Sequence, residues 1–127
     1  LDELLARSRG VVLTCPLTEA TRGLLDARRI GLMRRDALLV NVSRGAIVDE
    51  AALVAALQAG RIAGAALDVF TQQPLRPDHP LLALPQVLLT PHAAGLTDES
   101  MAAMSEGAAD EVLRLLQGQA PLNPVNR

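Results

Sequence analysis

The chain has 127 residues, half of them hydrophobic, and a formal charge of −2, enough for one domain with a packed core and too apolar for a disordered segment. Its twelve basic residues are all arginine and are scattered among acids, with Arg28, Arg29, Arg34 and Arg35 the one cluster, so the dense basic patch of a nucleic-acid binder is missing. Phe70 is the lone aromatic residue and Cys15 the lone cysteine, which excludes an aromatic stacking platform and an internal disulfide; no apolar run reaches the length of a membrane span, no signal peptide is visible, and a reducing cytoplasm is the expected location.

The chain starts at Leu1 rather than methionine and opens inside a helical pattern, LDELLARSRG, which points to a fragment of a longer protein. Gly10 to Cys15 (GVVLTC) reads as a buried strand ending at Pro16. Asp26 to Met33 follows as a short helix with Asp26 as its N-cap. Ala37 to Val42 is apolar and β-prone, a strand expected to be buried on both faces. Asp49 can cap a helix from Glu50 to Ala59, whose apolar positions include Leu53, Val54 and Leu57 and which Gly60 closes. Ile62 to Val69 is a third strand, and its small residues Gly64, Ala65 and Ala66 allow a helix or a flat ligand close to the backbone. The stretch from Thr71 to Pro80 has three prolines and no periodicity, so it is a loop. Gln86 to Thr90 is a fourth strand. A long amphipathic helix runs from about Asp98 to Gln117, with Met101, Met104, Ala108, Val112 and Leu115 along one face, Asp98 and Glu99 favouring its N-terminal dipole, and Gly118 stopping it. The tail PLNPVNR should run extended.

Strands alternating with helices imply right-handed crossovers and a parallel sheet, an α/β fold. In such a sheet ligands sit outside the carboxyl ends of the strands, where loops far apart in sequence converge. Four loops there carry polar groups: Cys15-Pro16-Leu17-Thr18 with Thr21, then Ser43 and Arg44, then Asp68 with Gln73 beyond it, then Pro91 and His92 followed by Ala93-Ala94-Gly95. Arg44 can grip a carboxylate or phosphate with two parallel hydrogen bonds, or be an ordinary surface-loop arginine. His92 is the natural proton carrier, or a capping histidine. Asp68 can cap the next turn or accept a hydrogen bond from a bound amide or ribose, and Gln73 by default is a solvated amide. A metal site is not expected, because His79 and His92 lack ligand-spaced partners, and Ser43 lacks the context of a nucleophile.

Together, NVSRGAIVDEAALVAAL, GAALDVFTQQP, HPLLALPQVLLTPHAAG and the ending PLNPVN resemble the D-isomer-specific 2-hydroxyacid dehydrogenases over essentially the whole chain. The resemblance implies a partial Rossmann-like, doubly wound parallel sheet of about four strands with covering helices, plus a long C-terminal helix. Residues 1–96 would be the second half of a dinucleotide-binding domain. Residues 97–127 would be a helix and tail packing on an absent substrate domain. It further implies NAD as cofactor, with NADP open, a small 2-hydroxy or 2-oxo acid as substrate, and a homodimeric parent. Arg44 would bind the substrate carboxylate and polarise the carbonyl, while His92 would pass the proton as hydride moves to or from nicotinamide. Cys15, Pro16 and Thr21 would lie against the adenosine half of the cofactor, and Val42, Ser43 and Asp68 against the nicotinamide half, with Arg44, His92 and Gly95 also facing it.

Two departures stand out. Where the family motif D-V-F-x-x-E-P supplies a glutamate to the histidine, DVFTQQP has Gln73, a neutral amide that orients the ring without stabilising imidazolium by charge. The phosphate-binding G-x-G-x-x-G is absent. A regulatory module that binds NAD(H) without turnover, or an inactive truncated fragment, are the alternatives to an enzyme.

Overall fold

The computed structural model describes residues 1–125, so the last two residues of the expected extended tail lie outside the described part. The chain divides into two compact units, Leu1–Ala94 and Gly95–Arg127. In the first, helix α1 (Asp2–Arg7) leads into strand β1 (Gly10–Leu13), followed by α2 (Ala27–Leu32), β2 (Leu38–Asn41), α3 (Glu50–Gln58), β3 (Gly64–Leu67) and β4 (Val87–Leu89). Short 3-10 turns, Gly45–Ile47 and Pro80–Ala83, stand before α3 and before β4. The four strands form one parallel sheet in the order β1-β2-β3-β4, with Gly10 opposite Leu38 and Leu38 opposite Gly64. This is the Rossmann-like α/β arrangement that the alternating pattern implies.

The helix ends are where local chemistry puts them. The Asp26 carboxylate accepts the Arg29 amide at 2.8 Å, and that of Asp49 accepts the Ala52 amide at 3.0 Å. Each strand is shorter than its apolar run, because ladder pairing stops where the loops begin to diverge; β1 ends at Leu13, ahead of Pro16.

Stepping the same way across the sheet, the right-handed crossovers through α2 and α3 lay both helices on one face. Leu5, Ile30, Leu53 and Leu57 bury against Val11, Leu13, Leu39, Ala65 and Leu67 there. Burial of β2 on both faces is therefore a wrong expectation. Val12, Leu38 and Leu88 point the other way and are 58%, 52% and 65% exposed, because the described residues of this unit place no helix over them.

The second unit holds α4 (Asp98–Leu116), capped by Thr97: the Thr97 hydroxyl accepts the Ser100 amide and the Ser100 hydroxyl accepts the Thr97 amide, both at 3.1 Å. Gly118, at φ +72°, ends it in the left-handed conformation that glycine adopts without strain.

Candidate active site

The loops after β1 and β2 are tied together. Thr21 closes the first loop, its hydroxyl donating to the Pro16 carbonyl at 2.7 Å and accepting the Thr18 amide at 2.7 Å. The Ser43 hydroxyl donates across to the Cys15 carbonyl. Asn41, fully buried at the end of β2, shapes the turn that bears Arg44: its side-chain amide donates to the Arg44 carbonyl at 3.0 Å and its oxygen accepts the Ser43 amide at 3.1 Å. Beyond Arg44 the backbone is stitched to the loop before α2, with Gly23 donating to Ala46 at 2.9 Å and Leu25 to Ile47 at 3.0 Å. The Arg44 side chain itself stays exposed, and among the described residues its one hydrogen bond is the 2.7 Å contact from Nη1 to the Ser43 carbonyl, which leaves other N–H donors to meet a ligand.

At the ends of β3 and β4 the organising group is Asp68, 3% exposed. Its carboxylate accepts the Thr90 hydroxyl, the Ala93 amide at 2.8 Å and the Ala94 amide at 2.9 Å. Burial pushes this carboxyl up, but the Thr90 hydroxyl, the Ala94 and Ala93 amides and nearby His92 together outweigh burial and hold it below the usual carboxylate range. The three donors encircle His92, which sits at φ +58°, a left-handed conformation that costs a non-glycine residue roughly 1 kcal/mol. Asp68 thus maintains a strained turn. The His92 ring is held in turn by Gln73, whose Oε1 lies 3.0 Å from Nδ1. Since Oε1 only accepts, Nδ1 carries the hydrogen and Nε2 is left free.

Three hollows run along this sheet edge. One, of about 520 Å³, is lined by Cys15, Pro16, Val42, Ser43 and Arg44 among others. A smaller one lies over Val40, Ala66 and Leu88 and shares Val42 with the first. The third, of about 570 Å³, shares Thr90 with the second and is bounded by Phe70, Leu75, Pro91 and His92. Arg44 and His92 therefore line separate hollows at the two ends of one edge, with Val42, Asp68 and Thr90 between them. The middle hollow, with small Ala66 and exposed Val42 on its walls, suits a flat ring. Among the described residues no group of three or more His, Cys, Asp or Glu side chains is arranged to hold a metal ion.

Of the expected site residues, Gln73 and His92 are in direct contact, and Ser43 is bonded to Cys15. Thr21 and Asp68 have their polar groups engaged within the chain. Gly95 falls in the second unit, where its carbonyl accepts the Ser100 hydroxyl ahead of α4. Asn41, Thr90 and Gly45 also shape the site, though no sequence pattern marks the first two as more than strand residues. A Cβ on Gly45 would lie 2.0 Å from the Phe70 carbonyl carbon, so this glycine lets the loop after β3 close on the turn after Arg44. Its signal was in plain view, as the glycine directly after the arginine.

Comparison with known proteins agrees with this geometry. Residues 1–94 match the family described as "D-isomer specific 2-hydroxyacid dehydrogenase, NAD binding domain". The chain is 48% identical to a glyoxylate reductase from Aeropyrum pernix over 127 residues, all of this chain and 38% of that protein. It matches a D-isomer specific 2-hydroxyacid dehydrogenase from Xanthobacter autotrophicus Py2, solved with NADPH and MES, at 44% identity and a TM-score of 0.85, covering 99% of this chain and 51% of that one. It also matches D-lactate dehydrogenase from Lactobacillus jensenii, solved with NAD+, at 30% identity and a TM-score of 0.88, covering 99% of this chain and 42% of that one. The described residues include no helix long and apolar enough to cross a membrane. The parallel sheet, the loops gathered at its carboxyl edge and the match over residues 1–94 assign the chain to the NAD-binding domain family of the D-isomer specific 2-hydroxyacid dehydrogenases.

Proposed function

We propose that this chain forms one wall of the active site of an NAD(P)-dependent oxidoreductase that interconverts a 2-hydroxy acid and the corresponding 2-oxo acid. The observation that carries the reading is the 3.0 Å pairing of His92 with Gln73 on a turn pinned by Asp68, along the same sheet edge as the exposed guanidinium of Arg44.

A small 2-oxo acid such as glyoxylate, the substrate in the relative's name, offers a carboxylate and an adjacent carbonyl. Arg44 grips the carboxylate through paired N–H donors, and its charge draws electron density from the carbonyl beside it. His92, anchored at Nδ1 by Gln73, presents Nε2 to the substrate oxygen. As imidazolium it delivers the Nε2 proton to the oxygen that becomes a hydroxyl, and in the reverse direction the neutral ring takes that proton back. Nicotinamide, when bound, supplies the hydride for reduction and accepts it in oxidation. Cys15, Pro16, Val42 and Ser43 line the hollow beside it, while Thr21 and Asp68 act through the backbone they hold.

In an active protein carrying this chain, Arg44→Gln should raise KM for the 2-oxo acid and lower kcat/KM by about a hundredfold. His92→Ala should lower kcat by about 10²–10⁴-fold. Wild-type turnover by the His92 variant rejects the reading. Gln73, standing where the family motif has glutamate, favours a second reading, an NAD(H)-binding regulatory module; tight NADH binding with no turnover of any 2-oxo acid would select it.

A further inference from the structure

Glu50 opens α3 six residues beyond Arg44, and its carboxylate reaches both ends of one loop. Oε2 accepts the Thr71 amide at 3.1 Å, and Oε1 lies 3.3 Å from Nε2 of His79. His79 Nδ1 in turn accepts the Leu81 amide at 3.3 Å, capping the 3-10 turn before β4. With Nδ1 accepting, the hydrogen of the neutral ring sits on Nε2, the nitrogen that faces the Glu50 carboxylate across that contact. Thr71 and His79 bracket the proline-rich segment that carries Gln73. The Glu50 and His79 side chains are 21% and 20% exposed, whereas the Arg76–Asp78 pair in the same loop is 67% and 69% exposed. The first pair is largely withdrawn from water and holds the loop; the second is a solvated surface contact worth little.

We propose that Glu50 is a positioning residue for the Gln73–His92 pair: one carboxylate clasps both ends of the loop, and the loop holds the Gln73 amide against the imidazole. The inference rests on the proton-transfer role proposed above for that pair, but its test does not.

The chain has two histidines, His79 and His92, so nitrogen-15 NMR of the imidazoles in the 127-residue chain reports each ring's tautomer separately. Wild type should show His92 as the Nδ1–H form and His79 as the Nε2–H form. In Glu50→Ala, hydrogen exchange at the Thr71 amide should accelerate about tenfold, the loss of one charge-assisted hydrogen bond, and His92 should lose its Nδ1–H signature while later turns of α3 stay protected. Should the alanine variant fail to fold, Glu50→Gln decides: it keeps the side-chain volume but a single acceptor oxygen, so Thr71 exchange or the His79 Nε2–H signal must move, and the His92 signature with it. Movement at the loop without movement at His92, or no movement at either, overturns the clasp. Turnover unaffected by Gln73→Ala would instead reject the proposed function and leave the clasp standing.

Discussion

Oε1 of Gln73 lies 3.0 Å from Nδ1 of His92, so the imidazole is oriented by a neutral acceptor where the family motif supplies a carboxylate. An amide oxygen fixes the ring but adds no charge to favour the imidazolium. Gln73→Glu would add it, and reduction, if it draws its proton from that ring as proposed above, would persist to higher pH. We expect the alkaline limb of the pH profile for 2-oxo acid reduction to move to higher pH, measured as kcat/KM across pH. An unmoved limb removes this role for Gln73.

Asp68 offers a test of the turn beneath His92. Its carboxylate accepts the Ala93 amide at 2.8 Å and the Ala94 amide at 2.9 Å, and in Asp68→Asn the amide nitrogen would face one of those N–H groups with no acceptor to offer. Loss of that bond in a buried site should cost about 2–3 kcal/mol, read by urea unfolding at neutral pH. The acid dependence has a definite sign. The folded-state pKa is lowered, so the stabilisation is fully present above the unfolded value of 3.8 and is lost as pH falls through the lower folded value. The asparagine variant should therefore lose part of the acid limb of the stability curve.

What could be read beforehand was the chemistry that acts over three or four residues. Asp26 and Asp49 announced their helices because an N-cap carboxylate bonds an amide three positions on, and Gly118 announced the end of α4 for an equally local reason. Asp68 shows the opposite case. Read from the sequence, it could meet a cap or a ligand; its partners Ala93 and Ala94 stand 25 and 26 positions away, and only the pairing of β3 with β4 brings them together. Asn41 looked like one more strand residue because its partner is a backbone carbonyl, and carbonyls are invisible to side-chain patterns. The bare face of the sheet escaped notice because an apolar run reads alike whether one face is covered or both. Arg44, Gln73 and His92 are proposed as a set only through the family resemblance, since no single one of them distinguishes a site from a surface.

Asn41 is also the residue through which Arg44 can be disturbed without touching its side chain. In Asn41→Asp the group facing the Arg44 carbonyl changes from a donor to a buried carboxylate, so a 3.0 Å attraction becomes a repulsion between two acceptors. We expect a loss of about 3 kcal/mol in unfolding free energy and, in an active protein carrying this chain, a higher KM for the 2-oxo acid. A variant with wild-type KM would show that the turn does not set the guanidinium's position.

Two glycines should respond oppositely to the same substitution. In Gly45→Ala the new methyl would lie 2.0 Å from the Phe70 carbonyl carbon and 2.2 Å from its oxygen; both are backbone atoms, so one of the two loops must retreat. Overpacking of this kind costs about 3 kcal/mol, and because the Phe70 loop leads to Gln73, the Gln73–His92 contact should loosen as well. Gly107 lies within α4, where a Cβ meets nothing within 4 Å, and alanine there should stabilise the helix by up to about 1 kcal/mol. Thermal unfolding of both variants checks the pair: a harmless Gly45→Ala would mean that the two loops stand farther apart than the contact requires, and the path from Arg44 to Gln73 would be lost with it.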